Sequence, residues 1–497
     1  MRSRTIDSAA LVETCMALSG DGWRLATIAV TDAELPELRY VFCGPRSAGW
    51  QQLVLRPAGA TDAANRRVPS LAPSNVAADW LEREIEDLFA IDFVGHPLLG
   101  DFVLHDNRWA EGVGPMRPGA RIREARVERA WQPRRVLREE GAFVMPVGPV
   151  YAGEAESALF LLETVGEDVV RTVPRLFYKY RGVEKLAQGR SVQDALLLVE
   201  RANGTSAFAH AWTYCMAAEE ILGVRAPARA ERLRAVFAEL ERVRRHVAAI
   251  RAIVDSTALW VGAARLLELE ERLLRACGAA GGHRYLFGLA TVGGLQRDVD
   301  DSTLLAVAND ASDVGKHVVA TVEQLAHTSS FLDRIQRVGI LTQAQAEQFG
   351  AVGPFARASG AVFDLRCEQP YGAYATFQPV VPSADEGDGY ARLRVLAQEI
   401  RSSLALIAEL TREIPTGPVR TAWSARSGEA LGWAEAPGGA SVQLLRLDDE
   451  ARCIDLRFTP PSFRNWQNFR WVTEDFAFQD FPIILATCGL CVAENDR

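Results

Sequence analysis

Few residues of this 497-residue chain have both the type and the spacing to do chemistry. The one local thiol pair is Cys488-Gly-Leu-Cys491. Two thiolates at that spacing are half of a structural zinc site, and no second Cys-x-x-Cys supplies the rest. Alone, the pair reads first as two small buried residues, with metal binding and thiol redox chemistry as the sharper alternatives. Of seven histidines, His210 and His246 fall on predicted helices. There a hydrogen-bonded core or interface histidine is a commoner outcome than a metal ligand. Gly438-Gly439 lacks the strand and helix that must flank a phosphate-cradling loop, so it reads as a turn and the chain is not expected to bind NAD. Neither a Gly-x-Ser-x-Gly elbow nor a His-Glu-x-x-His helix is present.

The elements that must position these groups fall into two unequal parts. Residues 1–110 read as a mixed α/β module. Strands are predicted at 23–30, 38–43 and 50–55, then a polar loop at 59–73 and a helix over 74–89. In that helix Trp80, Leu81, Ile85, Leu88 and Phe89 share one face. Residues 111–141 read as a linker: Gly112, Gly114, Pro115, Pro118, Gly119 and Pro133 break regular structure, and eight arginines fall between 117 and 138. The second domain, 142–497, opens with a strand pair near 144–150 and 159–165 and then turns helical. Leu233, Val236, Leu240, Val243, Val247 and Ile250 keep helical spacing, as do Leu396, Ile400, Leu404, Ile407 and Leu410. A strand hairpin is expected at 442–447 and 454–458. The fold class is α+β, an α/β module followed by a mostly helical domain. Composition agrees with globular domains: 48% hydrophobic and 24% charged residues, with a net charge of −9 that carries no chain-wide nucleic-acid footprint. No apolar run reaches the ~18 residues of a membrane span. The start has no apolar signal core, and eight scattered cysteines suit a reducing cytoplasm.

Function enters through resemblance. Gly148-Pro-Val-Tyr-Ala-Gly-Glu-Ala-Glu156 resembles a segment of the large subunits of membrane-bound group 4 nickel–iron hydrogenases of the formate hydrogenlyase and hydrogenase-4 type. Those subunits are relatives of the 49-kDa subunit of respiratory complex I. The likeness continues in order through Tyr178-Lys-Tyr-Arg-Gly-Val-Glu-Lys185, Ser206-Ala-Phe-Ala-His210, Glu239-Leu-Glu-Arg-Val243, Arg357-Ala-Ser-Gly360, Ser462-Phe-Arg-Asn-Trp466 and Asp480-Phe-Pro482. Glu82-Arg-Glu84 with Asp87-Leu-Phe89, and Phe93-Val-Gly-His-Pro97, resemble the 30-kDa subunit of complex I.

In those hydrogenases two Cys-x-x-Cys pairs grip nickel and iron, because soft thiolates suit that centre. The resemblance places the first pair at Asn203 and Ser206 and the second at Cys491 and Glu494. Three of four thiolates are missing, so it implies no nickel–iron centre. The arginine that follows Ala-Pro in the family is also replaced, since Gly438 follows Ala436-Pro437. The chain's end, Ala493-Glu-Asn-Asp-Arg497, is closer to the complex I subunit, whose cavity receives a quinone. By that likeness Asp255 takes the place of a helix aspartate at the quinone site, and Glu156 falls near its histidine. Tyr151 and Tyr180 are candidate phenol donors to a quinone. The resemblance implies an iron–sulfur partner subunit as electron source and antiporter-like membrane subunits as neighbours. It puts the chain on the inner face of the cytoplasmic membrane through those partners. The alternatives are a non-redox scaffold or coupling subunit and an active group 4 hydrogenase.

Overall fold

The computed structural model describes residues 1–31, 35–46, 48–58, 66–105, 114–117, 120, 137, 140–151 and 156–497. Its fold class is the expected α+β. In the N-terminal module the strands lie in the order Arg2–Thr5, Trp50–Leu55, Glu37–Cys43, Arg24–Thr31, the first pair parallel and the others antiparallel. One sheet face, with Ile28, Tyr40, Phe42 and Leu53, packs with Leu81, Ile85 and Leu88 of the helix Asp79–Phe89 and with Leu11 and Cys15 of the helix Leu11–Gly20. The other face, with Ala29, Val41, Cys43 and Trp50, packs on Phe363, Leu365, Leu431, Val442 and Leu444 of the second domain. A sheet covered on both faces needs apolar residues on both, so its strands alternate only partly.

Besides the short antiparallel pair Ala290–Thr291 and Gly294–Leu295, the described residues of the second domain hold two larger antiparallel sheets. One runs Glu474–Ala477, Asp168–Arg175, Leu159–Val165, Ala142–Val147. The other runs Gly428–Ala436, Gly439–Leu447, Cys453–Thr459, with Gly438-Gly439 at its first turn. The helix Ala207–Leu222 lies across this sheet so closely that a Cβ at Gly432 would stand 1.9 Å from the carbonyl of Thr213. Four long helices, Ala228–Ser256, Trp260–Gly281, Asp301–Ala326 and Gly389–Leu410, form the bundle, and the periodic leucines, valines and isoleucines are its core. Among the described residues no helix is long and apolar enough to cross a membrane.

Several expectations change. The polar loop at 59–73 contains the strand Arg67–Pro69, paired in parallel with Asp92–Val94, and residues 59–65 lie outside the described ones. Most of the linker at 111–141 also lies outside them. Of its described part, Met116 is buried in the N-terminal core and donates its N–H to the carbonyl of Leu88. In the helix Asp79–Phe89 two acids, Glu82 and Glu84, are fully buried. Glu82 accepts from Ser70 Oγ and the N–H of Leu71. Glu84 crosses the domain seam to Arg457 at 2.5 Å and Arg497 at 2.9 Å, with Glu184 beside both arginines at 3.6 and 3.7 Å.

Candidate functional site

Two chain segments build the site. The first, Asn203–Ser206, leads into the helix Ala207–Leu222, whose opening N–H groups at Phe208 and Ala209 donate to the buried carboxylate of Glu241 at 2.8 and 3.0 Å. A carboxylate there satisfies donors that the helix itself leaves open. The second, Gly489–Arg497, follows the helix Phe481–Cys488, which ends at Gly489 in a left-handed conformation. Arg181 clamps the two together. Its guanidinium donates to the carbonyls of Ala202 at 2.8 Å, Ala493 at 2.5 Å and Asp496 at 2.9 Å.

Between the clamped segments sits Glu494, 2% exposed. Oε1 accepts from Asn203 Nδ2 at 2.7 Å and from His210 Nε2 at 3.3 Å, and Oε2 accepts from the N–H of Ser462 at 2.9 Å. Burial opposes its charge, but the hydrogen bonds from His210, Ser462 and Asn203 outweigh that and hold its carboxyl down at about 2. Facing an ionised carboxylate, Nε2 of His210 donates to it, and Nδ1 lies 3.1 Å from Ser441 Oγ. Asn203 is fixed in turn, because its Oδ1 accepts from both the N–H and the hydroxyl of Thr205, at 2.8 and 2.9 Å. Ser206 is buried beside them at the start of the helix.

Cys491 completes the set. Its N–H donates to Ser462 Oγ at 3.2 Å, its carbonyl accepts from Trp466 Nε1 at 3.1 Å, and its thiol donates to Glu156 Oε1 at 3.3 Å. Glu156 also accepts from the N–H of Val492. Burial, with the nearby carboxylates of Glu156 and Glu494, pushes the Cys491 thiol well up, so it stays protonated. Asp496 is raised to about 6, mainly by burial.

Asn203, Cys491 and Glu494 are thus tied into one polar cluster, and Ser206 stands at its edge. That donor set does not fit a nickel–iron centre. It offers an amide, a hydroxyl, a carboxylate with both oxygens in use and one neutral thiol, where a soft bimetallic centre needs thiolates. Among the described residues no group of three or more histidine, cysteine or acidic side chains is placed to hold a metal ion.

The other expected site residues divide. Glu156 reaches the cluster. Tyr151 does not: its hydroxyl serves its own chain reversal, donating toward the carbonyls of Ala158 at 2.7 Å and Val147 at 3.1 Å. Tyr180 is half-buried against Phe177, and burial with the adjacent Glu184 and Glu84 pushes its phenol well up. Asp255 is exposed near the end of the helix Ala228–Ser256, ten residues beyond Arg245, which touches the carbonyl of Gly489. At 1.5 Å per residue that is about 15 Å along the axis. His210 and Ser462 are cluster members that the sequence reading left without a role. A signal existed for both, since each sits inside a quoted family motif.

Behind the cluster lies a larger network. Arg357, fully buried, bonds Glu399 at 2.6 and 2.9 Å and Glu435 at 3.0 Å, and stands 3.5 Å from Asp364. Arg366 joins Asp364 at 2.6 Å to Glu239 at 2.9 Å, and Glu239 also accepts from Tyr374 and Ser403, both at 2.6 Å. Arg242 stands 3.4 Å from Glu239, and His246 Nε2 is 2.8 Å from Glu399.

The 30 Kd subunit of respiratory-chain NADH dehydrogenase matches residues 5–125, its 49 Kd subunit matches 261–426 and 419–497, and a nickel-dependent hydrogenase model matches 181–250. The chain thus joins 30-kDa-type and 49-kDa-type complex I domains in one polypeptide and is similar to group 4 hydrogenase large subunits. It is 29% identical to formate hydrogenlyase subunit 5 of Escherichia coli over 88% of this chain and 78% of the relative. It is also 29% identical to hydrogenase-4 component G of the same organism, over 88% and 77%. To the C/D-type NADH-quinone oxidoreductase subunit of Acinetobacter baumannii it is 25% identical, over 84% and 78%. All three are subunits of oxidoreductases.

Proposed function

We propose that this chain is the quinone-side subunit of a membrane-associated, complex I-like oxidoreductase, and that it passes electrons from a partner iron–sulfur subunit to a quinone. The relatives' names carry two activities, hydrogenase and quinone reduction. The single observation that carries this reading is a hydrogen-bonded carboxylate cluster at the positions where the resemblance puts the thiolates, a donor set that does not suit the first activity. Glu156 supports the second, because it brings a carboxylate to the edge of the cluster where a proton would be exchanged with a reduced quinone. Attachment to the membrane is through partner subunits, antiporter-like ones included.

A second reading, a non-redox coupling subunit, is favoured by one feature: Asn203, His210 and Glu494 already satisfy one another. One experiment separates the two. The intact complex is purified from membranes and assayed for nickel, for hydrogen evolution and for reduction of a soluble quinone by reduced viologen. Quinone reduction without nickel, lowered about 10²-fold in E156Q, is the expected result. Absence of both nickel and quinone reduction leaves the coupling role. Stoichiometric nickel with hydrogen evolution overturns the proposal.

A further inference from the structure

Next to the cluster, across Ser462, is a cavity of about 40 Å³. That is room for about three water-sized atoms, too small for a quinone ring. Its polar lining is one-sided in charge. Arg245, His246 and Arg392 face it, and none of the described residues lining it is a carboxylate. Arg392 is 1% exposed and has no carboxylate within ion-pair distance among the described residues. Its Nη atoms bond Thr487 Oγ1 and the carbonyls of Gly339 and Gly387, all neutral, and its Nε–H is buried without a partner. Arg245 spends one N–H on the carbonyl of Gly489. Ser462 Oγ accepts from Cys491, which leaves its own proton free to donate.

The acids behind the wall are committed elsewhere. Asp388, behind Arg392, accepts from the N–H groups of Ala391 and Arg337. Glu399, behind His246, is shared with Arg357. Glu494, beyond Ser462, is held by its own donors. A buried guanidinium without a counter-charge is costly, and an orphaned N–H beside it adds to the cost. An anion in the cavity relieves both.

We infer that this cavity is a binding site for a small planar oxyanion of three or four heavy atoms, of the carboxylate or bicarbonate type, held by Arg392, Arg245 and Ser462. Planar oxyanions match the forked donors of arginine, and the volume excludes larger acids. The site stands independently of the quinone reading.

The full-length chain is titrated with sodium formate, sodium bicarbonate, sodium nitrate, sodium benzoate and sodium chloride at one ionic strength, and followed by melting temperature and calorimetry. A saturable rise in Tm with formate, bicarbonate or nitrate is expected, and the order among the three identifies the preferred head group. Benzoate and chloride should give no saturable response. If either matches the small oxyanions, the site is a generic surface effect and the inference falls. Because R392L removes a core side chain and can fail to fold, R245Q at the rim carries the decisive test. It should raise the half-saturating concentration at least about tenfold while the ligand-free Tm stays within a few degrees. An unchanged midpoint overturns the assignment.

Discussion

Around Glu494 one carboxylate is held by an amide, a backbone N–H and an imidazole. Around Arg357 four carboxylates, Glu239, Asp364, Glu399 and Glu435, meet three guanidiniums, Arg242, Arg357 and Arg366. Both regions are buried, yet they treat charge differently. The Arg357 network is a lattice of fixed opposite charges with one negative charge in excess, and Glu435 absorbs the difference. Burial and the adjacent Asp364 raise its carboxyl to about 7, so near neutrality a proton can reside there. Among the described residues no lysine or arginine contacts the Glu494 carboxylate, which is held by His210, Asn203 and the N–H of Ser462. A lattice is rigid and intolerant of deletion. A dipole cage depends on the aim of each donor and tolerates exchange of one donor for another of the same kind.

The contrast is broken most severely at Arg357. R357M keeps volume but leaves Glu399, Glu435 and Asp364 facing one another without their shared cation. Removing one member of a buried ionic set costs about 3–5 kcal/mol, so urea denaturation should show a loss in that range. A loss below 1 kcal/mol would mean that the lattice is not what holds the bundle against the sheet. E494Q comes next. With the carboxyl held at about 2 against an ordinary 4.5, its ionised form contributes about 3 kcal/mol at neutral pH. The folded pKa is depressed, so this stability is complete above pH 4.5 and disappears as pH falls through 2. The gap between wild type and E494Q should therefore close on acidification. A gap that stays constant down to pH 2 would show that Glu494 is not held as an anion.

What the sequence makes legible follows from range. The strands at 24–31, 37–43 and 50–55 and the bundle helices announce themselves by period, because their burial is periodic. Asn203, Cys491 and Glu494, singled out by the resemblance, do come together in one polar cluster. Glu82 and Glu84 are not legible. Nothing local gives them a counter-charge, and their partners are Ser70, Leu71 and, more than 370 residues away, Arg457 and Arg497. The same holds for Arg357 and Glu435, paired across 78 residues. A charged side chain becomes a core residue only when a distant partner arrives, and no window of sequence contains that partner. The strand Arg67–Pro69 is hidden for a related reason, because its pairing partner Asp92–Val94 follows a whole helix later.

Smaller effects sharpen the boundary of the cluster. Tyr151 lies in the connection between the strands Ala142–Val147 and Leu159–Val165, and its single proton serves one backbone acceptor at a time. Y151F should lose about 1 kcal/mol, the worth of one hydrogen bond. The phenol is raised to about 12, chiefly by burial, so that loss should be flat from pH 5 to 9. A loss of quinone reduction out of proportion to the stability change would instead put the hydroxyl on the substrate.

The smallest expected effect is the most discriminating. Asp255 is exposed on the last turn of its helix, far along the axis from the contact of Arg245 with Gly489, and no ion pair holds it among the described residues. A surface carboxylate of this kind changes stability by less than about 0.5 kcal/mol when replaced. Near the negative end of a helix its removal is, if anything, mildly stabilising. D255N should therefore match the parent in melting temperature. Its effect on quinone reduction is then free of any folding contribution, which makes it a clean probe of where the quinone sits. Parent-like activity confines the chemistry to the surroundings of Glu156 and Cys491. A fall in kcat at unchanged stability would show that the working complex brings the end of the helix Ala228–Ser256 to the substrate, and that the site extends beyond the dipole cage around Glu494.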